Sequence, residues 1–440
     1  MTASPEFALQ PDRMPPERTG IVVIGGGVVG VTAALMMAQW GIPVVLCEKG
    51  RIAGEQSSRN WGWIRLQGRD LREVPLMLEA QALWRQFGER CAQDFGLRQK
   101  GIAYVAATDA ELAEHEAWLE SVKPFQLTSR MLNAAETDAL IGRDDRAFRG
   151  AILTPTDMHA EPALAVPALA RLAAAEGAQI FERLAVRTLE TAGGRVTGVI
   201  TEAGRIDCSG VILAGGAWCR PFLENLGLSL PQLAVRSQAQ RTAPAPRIAD
   251  GPIGTPMASI RPRLDGGYTL GRTRAARFDL IPAAFTHFLR YLPLLRDRWR
   301  MVKIRLGPEF FGALGRHRWG PDQFSPMEQA RVLDPVPDAR LLDSILAEAQ
   351  RIFPKLQGVP VVERWGGMIE VSPDEVPLLG EVGGLEGLTL ATGLSGHGFG
   401  LGPGLGLLAA QLATGREPVA DPAPFAVDRF HRRRGAHGAV

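Results

Sequence analysis

Ile21-Val22-Val23-Ile24-Gly25-Gly26-Gly27-Val28-Val29-Gly30 is an apolar run that breaks on glycines and resumes apolar. Its first four residues predict a buried strand, its glycines a turn, and the residues from Val28 to about Trp40 a helix that opens on Val28 and Val29. Gly25, Gly27 and Gly30 keep the G-x-G-x-x-G spacing. The first permits a tight turn, the second lets a pyrophosphate approach the backbone, and the third lets helix and strand pack closely. A phosphate there meets free N–H groups at the positive end of the helix. A second strand, Ile42 to Glu48, ends in an acid 18 residues beyond Gly30, with Lys49 next to it. A carboxylate at that point can accept hydrogen bonds from ribose hydroxyls. Strand, turn, helix, strand and acid in that order predict a dinucleotide site. A glycine-rich packing site that binds nothing is the plainer reading. A membrane span would need about 20 apolar residues and flanking charge anchors, which this stretch lacks.

Working outward, 440 residues allow two or three domains with substantial cores. A hydrophobic content of 46% with 22% charged residues is that of an ordinary globular protein. The net charge of +2, without a basic stripe interleaved with aromatics, predicts no nucleic-acid partner. Cys47, Cys91, Cys208 and Cys219 are widely spaced, and the histidines form no metal-ligand pair, so neither a disulfide framework nor a metal site is expected. Residues 1–19 are polar and proline-rich with no apolar core, which predicts a flexible arm rather than a secretory signal, and cytoplasmic residence as the default.

Beyond Lys49, residues 51–65 form a small-residue polar loop running into Trp61 and Trp63. Ser57, Ser58 and Asn60 could donate along a cofactor there. Residues 71–123 read as largely helical around a strand at Gly101–Ala107, and 136–150, with Arg143, Arg146 and Arg149, as a solvated connection. A helix at Glu161–Glu176 precedes short strands and a Gly193-Gly194 hairpin turn. Gly210 to Trp218 is a buried parallel strand ending in small residues. Between 231 and 364 arginine and proline become dense. Short strands and helices near 282–293 and 338–352 predict an antiparallel sheet with covering helices. Leu388 to Pro403 is again strand, glycine-rich turn and helix, but no acid-terminated strand follows, so its glycines are assigned to the same cofactor. Arg432-Arg433-Arg434 reads as a solvated tail.

These segments together resemble the D-amino-acid-oxidase-like FAD oxidoreductases, in the branch of glycine oxidase, sarcosine oxidase and D-amino-acid dehydrogenase. The resemblance runs from Gly20 to Phe430. It rests on GGGVVG with Glu48, the Ser57-Ser58-Arg59-Asn60 loop, the VILAGGAW strand, Ser372-Pro373-Asp374, and above all GLSGHGFGLGPG followed by a helix. It implies an α/β fold: a three-layer Rossmann-like FAD-binding domain (17–70, 151–230 and 365–430) with an inserted α+β substrate domain on a mostly antiparallel sheet (71–150 and 231–364), flanked by flexible tails (1–16 and 431–440). It implies hydride transfer from a substrate C–N bond to the flavin, giving an imine that water hydrolyses. Carried over residue by residue, it gives the cofactor Gly25, Gly27, Val28, Val29, Gly30, Glu48, Lys49, Ser57, Ser58, Arg59, Asn60, Val186, Ala214, Gly215, Trp218, Gly366, Gly396, His397, Gly398, Phe399 and Gly400. A helix starting near Gly402-Pro403 would aim its positive end at the flavin.

The departures bear on substrate. Where glycine oxidase and D-amino-acid dehydrogenases place a carboxylate-gripping arginine, this chain has Ile369, followed by Glu370. The position of sarcosine oxidase's flavin-bonded cysteine is Gly367, which implies non-covalent FAD, and the lysine after its GHGF is Gly400. A lysine linked to oxygen activation falls near Thr269, tilting the reading toward a dehydrogenase. Arg65, Glu370 and His397 are the catalytic candidates. Arg65, or one of Arg261, Arg272 and Arg364, would meet a substrate carboxylate, while Glu370 would favour a cationic amine. The expected substrate is a secondary amine, an N-substituted amino acid or a D-amino acid, with oxygen or a respiratory carrier as acceptor and peripheral membrane or heteromeric association as options. The rivals are an electron-relaying flavin subunit and an aromatic hydroxylase. The latter would show an aspartate–glycine pair where Gly215-Gly216-Ala217-Trp218 stands.

Overall fold

β1 (Ile21–Ile24), α1 (Val28–Gln39) and β2 (Val44–Cys47) form as the opening stretch predicts. The computed structural model describes residues 14–430 except 146, 274 and 299–301. Arg146, Arg432-Arg433-Arg434 and most of the two tails therefore lie outside the described residues.

β1 is paired in parallel with β2 on one side and with Gly210–Leu213 on the other. Strands Gln179–Phe181 and Leu388–Thr392 extend this sheet in parallel, and Leu378–Glu381 closes it antiparallel, six strands in all. The strands are short and apolar throughout because both faces are covered. Val23, Leu46 and Ile212 face a helical layer built from α1, Pro162–Ala175 and Gly398–Ala413. Val22, Val45 and Val211 face Leu189, Val199 and Ile206 of a three-stranded antiparallel sheet. Helices, parallel sheet and antiparallel sheet make the three layers expected.

A second, ten-stranded sheet holds Ile102–Ala106, Gly150–Thr154 and most strands between 233 and 305. Its spine is Leu233–Thr242 paired antiparallel along its length with Val361–Val371. The sequence reading missed Leu233–Thr242, since its polar Arg236, Ser237 and Gln238 blur any alternation. Residues 136–150 also differ from the solvated connection expected. Asn133 and Glu136 form a reciprocal capping box that starts a helix over Ala134–Ile141. The last helix begins at Gly398, four residues before the expected start, with Pro403 inside it. Its glycines allow close packing. A Cβ on Gly402 would fall 2.4 Å from Val28, and one on Gly406 would fall 2.5 Å from the Val29 carbonyl.

Candidate active site

The site starts at the first turn. Gly25 has φ +112°, and a Cβ there would lie 2.5 Å from the Ala214 carbonyl oxygen, so no side chain fits. Glu48 clamps the same turn: one carboxylate oxygen accepts the Gly26 N–H and the other the Gly50 N–H, each at 2.7 Å. Burial nevertheless pushes its carboxyl pKa up. Ser57 Oγ accepts the Val28 N–H at 3.0 Å, linking the polar loop to the start of α1.

From this turn a cleft runs between the strand ends. Its lining includes Glu48, Lys49 and Val186, Ala214, Gly215 and Trp218, and Gly396, Gly398 and Phe399. Gly25, Gly27, Val28, Val29, Ser57 and Asn60 complete the wall. Lys49 is held by Glu55 at 2.6 Å and lies over the Trp218 ring, whose Nε1 also donates to Glu55. Six expected cofactor residues stand outside the cleft lining, Arg59 and His397 because they line the adjoining cavity. Gly30 packs on the Gly25 carbonyl, Gly366 on the Pro335 carbonyl and Gly400 on Ile64, while the Ser58 hydroxyl donates to Glu55 O. Glu55, which holds Lys49, Trp218 and the Leu333 N–H together, was not singled out from sequence; a lone acid in a polar loop gives no signal.

At Gln56, Asn60, Ile369, Gly396 and Phe399 the cleft opens into a cavity of about 750 Å³. Strand Val361–Val371 divides the two. Successive side chains of a strand point to opposite faces. Gly367 and Val371 accordingly line the cavity, Met368 and Glu370 the cleft, and Ile369 reaches both at the junction. Glu370 thus lies on the cofactor side, 4.0 Å from where a Cβ on Gly216 would stand. Burial raises its carboxyl pKa to about 7.

The cavity walls are mostly apolar, with Trp61, Trp63, Tyr104, Phe278, Leu294 and Val371 among them. Arg59, Arg65, Arg69, Arg272 and Arg298 are the arginines among its lining. Arg65 lies over the Tyr104 ring and donates to the Gln67 carbonyl. Among the described residues no salt bridge joins it to a carboxylate. Behind it Arg69 is buried, its pKa lowered to about 9 by desolvation and by Arg65. Of the other arginine candidates, Arg261 is held by buried Glu161 at 2.8 Å and Arg364 by Asp343 at 2.6 Å. Arg272 reaches the cavity and donates to the Met257 carbonyl. His397 lines the cavity with Nδ1 3.4 Å from the carboxylate of buried Glu73. Desolvation, then Arg69, lowers its pKa, leaving the ring neutral at neutral pH. Arg59, expected against the cofactor, lines the cavity instead and bonds Asp334 and the Gly366 carbonyl. Arg69 and Asp157, which stand near Arg65, and Glu73, which meets His397, were not anticipated, because their segments carry no motif.

The arrangement fits a dinucleotide flavin. A side-chain-free turn backs one end of the cleft, a positively polarised helix start the other, and buried polar atoms without protein partners (Gln56 Oε1, Arg59 Nε) stand near the junction. This defines a two-domain flavin-dependent oxidoreductase. The family model described as FAD dependent oxidoreductase, DAO, matches residues 20–412, and the chain belongs to that family. It is 27% identical over 430 residues to glycine oxidase of Pseudomonas putida, covering 92% of this chain and 97% of the relative. To D-amino acid dehydrogenase of Paramagnetospirillum magneticum it is 25% identical, covering 93% and 98%. The structure of L-amino acid deaminase from Proteus myxofaciens in complex with anthranilate superposes with a TM-score of 0.90 at 30% identity, covering 95% of both chains. The protein is an FAD-dependent amine or amino-acid oxidoreductase. No helix among the described residues is long and apolar enough to cross a membrane.

Proposed function

We propose that the enzyme oxidises the C–N bond of an amino acid or N-substituted amino acid whose remaining group is large and apolar. One observation carries this: Arg65, without a carboxylate partner among the described residues, stands in a largely apolar cavity of about 750 Å³. A carboxylate entering that cavity loses water, and a guanidinium held in place restores the lost interaction. Glycine or sarcosine would leave most of the space unfilled. When bound, FAD supplies the acceptor for a hydride from the carbon bearing the nitrogen. The protein's part is placement. Arg65 fixes the carboxylate, the apolar walls exclude water, and neutral His397 can accept a hydrogen bond from the arriving nitrogen. Glu370, behind the dividing strand, acts on the cofactor side rather than on the amine. Gly367 in place of a flavin-bonded cysteine supports non-covalently held FAD, and Thr269 in place of an oxygen-activating lysine supports a dehydrogenase.

The test is anaerobic bleaching of the flavin by matched series: D- and L-amino acids of rising side-chain size, their N-methyl derivatives, and amines without carboxylate. Bulky apolar amino acids should bleach fastest, and turnover with a dye acceptor should exceed turnover with oxygen. Equal rates for amines lacking the carboxylate would reject the reading.

A further inference from the structure

The described residues between 285 and 306 carry Arg290, Arg296, Arg298, Lys303 and Arg305 against Asp297 alone, a net +4 in a chain whose total is +2. The same segment exposes large apolar side chains. Leu289 is 79% exposed, Phe285 66%, Ile304 52%, Phe288 50% and Leu292 48%. On helix Phe288–Arg298 the outward positions Phe288, Leu289, Leu292 and Arg296 share one face, three to four residues apart, with Phe285 one turn earlier. Phe285 meets Phe310 at 6.4 Å between ring centroids, and Phe310 meets Phe311, which is 83% exposed. Strand Val302–Arg305 adds Ile304 between exposed Lys303 and Arg305. The result is one apolar face with cations interleaved, at the cavity mouth that Phe285, Phe288 and Ile304 line. Part of the charge is already met, since Arg298 pairs with Glu375.

Exposed apolar surface of this extent marks an interaction site. The charge selects the partner. A symmetric contact with a second copy would set +4 against +4 across a shared axis. Leu and Phe projecting beside Lys and Arg on a helix lying along the surface suit the headgroup boundary of an anionic bilayer, where apolar burial and cation–lipid attraction add. We propose that this face docks the enzyme on an anionic membrane surface, setting the cavity mouth against the lipid. The acidic helix Asp109–Ser121, whose Glu111 and Glu114 line the other side of the cavity, stays on the aqueous side and fixes the tilt.

The test is co-sedimentation of the FAD-loaded full chain with phosphatidylcholine vesicles, with and without about a third phosphatidylglycerol. Partitioning to the anionic vesicles alone, weakened by salt, is expected. Leu289→Asp with Leu292→Asp, or Lys303→Glu with Arg305→Glu, should each reduce it about tenfold or more, while FAD content and bleaching by a water-soluble substrate stay unchanged. Absence of partitioning, or partitioning that neither double variant alters, overturns the proposal. So does a dimer or protein complex that these variants dissociate, because the face then serves a protein contact.

Discussion

Replacing Arg65 by Gln removes the charge that the proposed function assigns to the substrate carboxylate while keeping most of the side-chain volume. A hydrogen bond to a charged group contributes about 1.5–3 kcal/mol, which is about 10- to 150-fold in kcat/KM. Two features of the site favour the lower half of that range. Arg65 is only half-buried, and Arg69 behind it retains a buried Nη1 without a protein partner, so positive potential persists after the substitution. The assay is anaerobic stopped-flow reduction of the flavin by an amino acid and by the amine formed on its decarboxylation. The informative quantity is the ratio of ratios, because it cancels any general damage to the cavity. Arg65→Gln should slow the amino acid by about 10- to 30-fold more than the amine, and Arg65→Lys should recover part of the loss. An equal loss for both substrates would mean that Arg65 shapes the cavity through Tyr104 and Gln67. No differential loss in Arg65→Gln, with a clear one in Arg272→Gln, would transfer the carboxylate role to Arg272.

Gly25→Ala places a methyl group 2.5 Å from the Ala214 carbonyl in a backbone region closed to alanine, so the purified protein should lose most of its FAD and melt earlier, read by flavin absorbance and thermal unfolding. Glu370 gives a pH signature. Its folded pKa, about 7, lies above the usual 4.5, so between those values the native state holds the proton that the unfolded chain has lost. Stability should therefore fall as pH rises through that window, by about 3 kcal/mol at most. Glu370→Gln should match the native protein near pH 5 and exceed it at pH 8 in melting temperature, and identical profiles would refute the assignment. Arg261→Leu strips buried Glu161 of its two-pronged partner and leaves it only Arg263 at 3.4 Å and the Leu264 N–H, a loss of about 3 kcal/mol at most; a Tm unchanged in that variant would show that the pair contributes nothing to the fold.

Much of the FAD-binding half was legible because its signals are local. A strand, three glycines and an acid occupy one contiguous stretch, and their steric reasons reappear as the closed approaches of Gly25 and Gly30. The substrate half was less legible, for a physical reason. Its spine pairs Leu233–Thr242 with Val361–Val371 across more than a hundred residues, and polar side chains tolerated at the cavity hide the alternation. The glycines from Gly398 onward had two explanations that sequence could not separate, contact with a cofactor or contact between helices. Gly396 and Gly398 line the cleft, while Gly402, Gly404 and Gly406 sit against Val28, Leu76 and Val29. Arg261 and Arg364 looked as available as Arg65 until their partners, Glu161 and Asp343, came from distant segments.

The dividing strand explains why a reading by aligned position misplaces chemistry here. In a pleated strand a one-residue step changes faces. Ile369, in the place of a carboxylate-binding arginine, reaches the junction of cleft and cavity, whereas its neighbour Glu370 is turned wholly toward the cofactor cleft. An arginine at 369 would project into the cavity from the strand side. Arg65 enters instead from the side of the polar loop, anchored on Tyr104 and Gln67. On the proposed function, a cation supplied by Arg65 rather than by position 369 would change where the carboxylate lies relative to the junction, and with it which side of the α-carbon faces the cofactor. On that reading, with Arg65 holding the carboxylate, substrate handedness would follow the position of Arg65, and the strand that lacks the arginine presents Ile369 and Val371 to the cavity.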